Sequence, residues 1–171
     1  MRLFSTLSFL VIITVMTSFT GQTKLTVTST SFTDNGNIPS KYTCEGTQTS
    51  PALNVSGVPS GAKSLALILN DPDAPMPGGF THWVMWGIAI DGNIPEDFKG
   101  AVQGFNGAKR QGYIGMCPPT GTHHYHFKVY ALDTQLILDK STDKAGLEKA
   151  MTGHILAQGE IVGLYQKANQ K

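Results

Sequence analysis

The chain has 171 residues, 13 of them basic and 12 acidic, for a formal net charge of +1. With no basic stripe and no acidic tail, that balance argues against nucleic acid as a partner and against strong electrostatic attachment to a membrane. No heptad pattern, internal repeat or low-complexity linker divides the sequence.

Met1–Thr20 has the pattern of a signal peptide. Arg2 supplies a positive start, Leu7–Phe19 is mostly apolar and uncharged, and the small residues Ser18 and Thr20 flank Phe19 ahead of Gly21. The apolar stretch is short for a spanning helix, which needs about 20 residues. An uncleaved anchor is the alternative, because no charge occurs between Arg2 and Lys24. The expectation is a signal peptide over 1–20 and one domain over 21–171, exported to the periplasm or beyond. About 150 residues would remain, the usual size of one domain with a real core. Arg2 is one of the 13 basic residues, so that remainder balances at 12 basic and 12 acidic.

Glycine (19 residues) and proline (9) separate short apolar runs throughout, which is an all-β signature. Lys24–Ser31 sets Leu25 and Val27 against threonines and reads as a first strand. Asp34–Asn37 is a turn, and Ala52–Val55 a short strand. Asn54-Val55-Ser56 matches a glycosylation acceptor, relevant only in a eukaryotic secretory pathway.

Ser64–Leu69 and Trp83–Ile90 are apolar enough to be buried strands. Between them lie Asp71, Asp73, His82 and three prolines. Pro72, Pro75 and Pro77 cannot donate to a ladder, so they stiffen this stretch into a shaped loop. Asp71 and Asp73 read either as turn formers bonding their own backbone or as members of a site.

Residues 103–110 read as surface loop, and 112–122 as a second shaped loop rich in Gly and Pro. The latter runs into His123–Leu132, where period-two alternation puts His123, Tyr125, Phe127, Val129 and Ala131 on the face toward the core. His123 then stands at the mouth of the core. His82 and His123 share a setting: each begins an apolar strand after a Pro/Gly-rich loop. Near the C-terminus, Thr142 or Asp143 caps a helix running to about Met151, and Gly153 ends it. Ile155–Tyr165 is a final strand whose Gly159 and Gly163 suggest a bulge or a close backbone approach.

The two cysteines, Cys44 and Cys117, form a disulfide if the chain is exported to an oxidising compartment. The alternative is two buried thiols.

Asp71-Pro72-Asp73-Ala74-Pro75, Phe80-Thr81-His82-Trp83, Gly112-Tyr113-x-Gly115, Cys117-Pro118-Pro119 and His123-x-Tyr125 together resemble the phosphatidylethanolamine-binding protein family. The bacterial branch, similar to Raf kinase inhibitor protein, is the nearest match. Tyr42–Gly46, Ser50-Pro51-x-Leu53, Tyr130–Asp133 and Gly153-His154-x-Leu156-Ala157 extend the resemblance over Leu25 to Tyr165. It implies a mainly β fold of two packed antiparallel sheets with a few short helices. It also implies a small cavity for phosphate, acetate or a phosphoethanolamine head group, lined by Asp71, Asp73, His82, His123 and Tyr125 and walled by Gly115 and Pro119. Family members act by binding and inhibition, need no cofactor, and are often homodimers in bacteria. Four positions depart from the pattern: His124 replaces a usual Arg, Met116 a Pro, Gly87 an Asn and Val55 a Trp.

Two aspartates near an anion would repel it. The expected resolution is that Asp71 or Asp73 lies against His82 or His123 and favours the imidazolium, which then donates to the anion. Two other functions remain open. Asp71, Asp73, His82 and His123 could ligate Zn or Mn in a hydrolase, although their spacing is not diagnostic, and Cys117 near His123 could imitate a Cys–His pair. The chain could also be a protease- or kinase-inhibiting module whose loops dock on a partner. A kinase is an awkward target for an exported protein.

Overall fold

The structure is a computed structural model, described here for residues 23–168; the expected signal peptide lies outside the described residues. The strands are β1 Thr23–Lys24, β2 Thr26–Thr28, β3 Gly36–Asn37, β4 Leu53–Ser56, β5 Ser64–Asp71, β6 Phe80–Ile88, β7 Asn93–Ile94, β8 Val102–Gln103, β9 His123–Leu132 and β10 Ile155–Tyr165. One α-helix, α1 Lys144–Met151, and a 3-10 turn at Ser40–Tyr42 complete the described elements. The main sheet runs β1-β10-β9-β5-β6-β8, with β3 also on β10, and a small sheet runs β2-β4-β7. Among the described residues no helix is long and apolar enough to cross a membrane.

The continuous apolar run of β5 is explained by burial on both faces. Leu65, Leu67 and Leu69 pack inward with Val27, Leu53, Val55 and Ile94 of the small sheet. Ala66 and Ile68 face outward, where Leu147 and Met151 of α1 cover them together with Val84, Trp86 and Leu132. Asp143 caps α1 by accepting from the Gly146 N–H, which satisfies one of the orphan donors of the first turn.

The fold is mainly β with two sheets, as expected, and its long pairings are antiparallel; the two-residue strands β1 and β3 add short parallel pairings on β10. One expectation is corrected: Lys24–Ser31 is not one strand, since β1 pairs parallel with β10 and β2 antiparallel with β4. The chain changes sheets at buried Leu25, whose carbonyl crosses so close over Gly159 that a Cβ there would collide with it. Gly163 likewise admits Ile38 and Phe32, whose side chains would crowd any Cβ at that position.

Candidate functional site

Alternation along β5 carries its inward face from Leu65, Leu67 and Leu69 to Asp71, the last residue of the strand. Its carboxylate is therefore buried, at 3% exposure. On β6 the pairing skips His82: Trp83 is opposite Leu69, and Thr81 is opposite Asn70. This bulge turns two consecutive side chains inward, Trp83 into the core and His82 toward Tyr125. Regular alternation would have sent one of them out. The strand begins at Phe80, so His82 lies within it and not just ahead of it. On β9, His123 and Tyr125 point inward as the alternation requires.

The four side chains converge. His123 Nδ1 donates to Asp71 Oδ2 at 2.7 Å. Asp71 Oδ1 accepts from the Asp73 N–H at 2.9 Å. The ring of Tyr125 lies 5.3 Å from that of His82 and 6.4 Å from that of His123, centroid to centroid. His123 is buried and does not stand at an open mouth. The Tyr125 hydroxyl is buried with no hydrogen-bond partner among the described residues, an arrangement that costs about 1–3 kcal/mol unless something occupies it. Burial, and then the Asp71 charge, push the Tyr125 phenol well above its ordinary range.

The second loop closes over His82. Its Ile114 carbonyl accepts from His82 Nδ1 at 2.9 Å, and its N–H donates to the His82 carbonyl at 3.0 Å. Burial lowers the His82 pKa below 6.5, against the opposing pull of the Ile114 backbone, of Asp71 and of the Gly115 backbone. The loop is itself held. Cys117 is disulfide-bonded to Cys44, the Cys44 N–H donates to the Met116 carbonyl at 3.0 Å, and the Tyr113 hydroxyl donates to the Tyr42 carbonyl at 2.6 Å. Gly115 is required here, because a Cβ would come within 2.9 Å of the Thr43 backbone.

Asp73 does not join the cluster. Its Oδ2 accepts from both the backbone N–H and Nδ1 of His124, each at 2.8 Å, at the exposed rim. The His124 ring, and then its N–H, hold the Asp73 carboxyl below the ordinary carboxylate range. The expectation that either aspartate could support a buried histidine holds for Asp71 alone, and Pro119 is exposed on the following turn. Cavities of about 620 and 230 Å³ lie on the outer face of the main sheet, meeting at Lys128 and Tyr130. The Asp71–His123 cluster lines neither of them. Among the described residues no group of three or more His, Cys, Asp or Glu side chains is placed to hold a metal ion; Asp73, needed for the hydrolase alternative, is turned to His124.

Sequence reasoning missed Phe80, whose ring lies 4.8 Å from that of His82, and the Ile114 carbonyl. No local signal marks a backbone acceptor, because it is defined only by where the loop lands.

The family model described as phosphatidylethanolamine-binding protein matches residues 28–166. The chain belongs to the phosphatidylethanolamine-binding protein family. It is 48% identical to a UPF0098 protein of Pyrococcus horikoshii over 86% of this chain and 80% of that one. It is 46% identical to a UPF0098 protein of Methanothermobacter thermautotrophicus over 80% of this chain and 95% of that one. A phosphatidylethanolamine-binding protein homologue of Chlamydia trachomatis superposes with a TM-score of 0.81 at 40% identity, covering 85% of this chain and 99% of its own. Escherichia coli YbcL, described as a member of the mammalian family, gives 0.78 at 34%, covering 86% and 99%.

The structure accounts for three departures from the family pattern. Gly87 has φ +70°, a conformation open to Gly and, less readily, to Asn. Met116 is fully buried, with its sulfur 3.1 Å from the Tyr113 hydroxyl. His124 bonds Asp73. Val55 is buried in the core beside the small sheet, and nothing in the structure explains why it is smaller than the usual Trp.

Proposed function

We propose that Asp71, His82, His123 and Tyr125 form a binding site for a small oxyanion or a phosphoryl head group, of the phosphate or phosphoethanolamine kind. The protein acts by binding and does not turn its ligand over. The observation that carries this is the Tyr125 hydroxyl, buried without a partner among the described residues, on a ring that lies beside those of His82 and His123. A donor in that position is satisfied when a ligand oxygen accepts from it. His123 adds a second donor when its ring carries both hydrogens, because Nδ1 is held by Asp71 and only then does the far nitrogen bear a hydrogen for the ligand. Family membership supports a binding role, and two family members are named for phosphatidylethanolamine binding or for their relation to proteins that bind it. Export belongs to the same proposal. It is supported by the Arg2 and Leu7–Phe19 pattern and by the bond between the two cysteines of the chain. Homodimerisation is expected from the family alone.

Calorimetric titration of phosphate and phosphoethanolamine into the protein, Tyr125→Phe and His123→Gln tests the site. Tyr125→Phe should bind more weakly yet fold with equal or greater stability, by up to about 1 kcal/mol, because it removes an unpaired buried hydroxyl. His123→Gln should abolish measurable binding. Unchanged affinity in both variants refutes the site. Protein from its native compartment should begin near Gly21, and a chain starting at Met1 in the membrane fraction refutes export.

A further inference from the structure

One contact determines where a proton sits at this site. His82 Nδ1 is 2.9 Å from the Ile114 carbonyl oxygen, and a carbonyl can only accept, so Nδ1 carries hydrogen. The reverse bond from the Ile114 N–H to the His82 carbonyl keeps ring and loop in this alignment. Among the described residues no carboxylate is hydrogen-bonded to His82: Asp71 bonds His123 and the Asp73 N–H, and acts on His82 through its charge alone. His82 is 4% exposed. A buried imidazole with no acid bonded to it is favoured in its neutral form. Burial accordingly holds the His82 pKa low, with His123 nearby acting in the same sense. A neutral ring protonated on Nδ1 has a bare lone pair on Nε2. The second nitrogen of His82 is thus an acceptor, in a site where the Tyr125 hydroxyl can donate.

We propose that His82 makes the site selective for oxyanions that carry a hydrogen of their own. The ligand class is hydrogen phosphate or a singly protonated phosphomonoester, whose P–OH donates to His82 Nε2 while another of its oxygens accepts from the Tyr125 hydroxyl. This rests on the oxyanion reading above and adds the protonation state of the ligand. Sulfate is the discriminating probe. It matches hydrogen phosphate in shape and charge but has no hydrogen at neutral pH, so one of its oxygens would face the lone pair of His82 unbonded. That mismatch leaves a buried polar group unpaired, which is the strongest source of rejection available to a small site.

The experiment titrates inorganic phosphate and sodium sulfate, at equal ionic strength and neutral pH, into the protein and into His82→Phe. Phosphate should bind about tenfold or more tightly than sulfate, the worth of one hydrogen bond to a charged group, and His82→Phe should lose that preference. In the unsubstituted protein, nitrogen-15 NMR of the His82 ring should show hydrogen on Nδ1 alone. This second measurement decides the matter even where the Phe variant fails to fold. Phosphate binding without discrimination against sulfate, or a His82 ring protonated on both nitrogens, overturns the selectivity and leaves the oxyanion site standing. Absence of binding by either anion overturns the site, and the selectivity falls with it.

Discussion

Asp71 and Asp73 flank one proline, and His123 and His124 are neighbours, so the chain sets two Asp–His pairs side by side. Their bond lengths barely differ, at 2.7 Å for His123–Asp71 and 2.8 Å for His124–Asp73. Their surroundings do. The inner pair is 8% and 4% exposed, and the outer pair 52% and 41%. Alternation along β9 makes this separation, because successive side chains leave on opposite faces. Equal geometry therefore carries unequal energy. In water an ion pair is screened and contributes little, whereas removing one member of a buried pair strands the other without solvent. The inner pair belongs to the candidate site, and the outer one ties the proline-rich loop to the entrance of β9.

The largest test of this contrast is Asp71→Ala. It should cost about 3 kcal/mol or more in urea unfolding, as expected for stranding a buried partner. A loss below about 1 kcal/mol would make the inner pair energetically equivalent to an exposed one. Opening the Cys44–Cys117 bond comes next. The bond spans 73 residues of sequence, and reduction should cost about 2–4 kcal/mol. The same treatment frees the loop that presents Ile114, so the His82 ring should lose its single Nδ1-protonated form in NMR before the protein unfolds. Thiol titration of unreduced, unfolded protein should find no free thiol.

Acid separates buried from exposed groups along the pH axis. His82 has a folded pKa below its ordinary 6.5, so the unfolded chain takes up the proton more readily. Its contribution to stability is complete above about pH 6.5 and is lost as pH falls from there toward the folded value. Asp73 is also lowered, from 3.8, so its contribution persists above that value and disappears only below it. Urea midpoints measured from pH 8 to pH 3 should decline first in the histidine window, and His82→Phe should remove that first decline. The smallest effect is Asp73→Ala, at about 0.5 kcal/mol, because its partner remains solvated. A loss comparable to that of Asp71→Ala would show that the outer pair holds more than the loop.

Much of this architecture was legible from local pattern. Pro72, Pro75 and Pro77 forbid a ladder, the alternation from His123 to Ala131 orients β9, Asp143 caps α1, and the glycines at 159 and 163 mark where other chain segments cross. With the family motifs, these were enough to group Asp71, Asp73, His82, His123 and Tyr125, of which Asp73 turns instead to His124. Long-range pairing decided the rest. The β6 bulge that turns both His82 and Trp83 inward depends on the register of β6 against β5. The transfer of the first strand between sheets depends on Gly159, far along the chain. Which aspartate meets which histidine depends on two loops meeting across 51 or 52 residues of sequence. Propensity and periodicity act over a few residues, and so they determined the strands and their faces. Register, bulges and pair assignments are chosen by packing between segments remote in sequence, and only the tertiary structure could decide them.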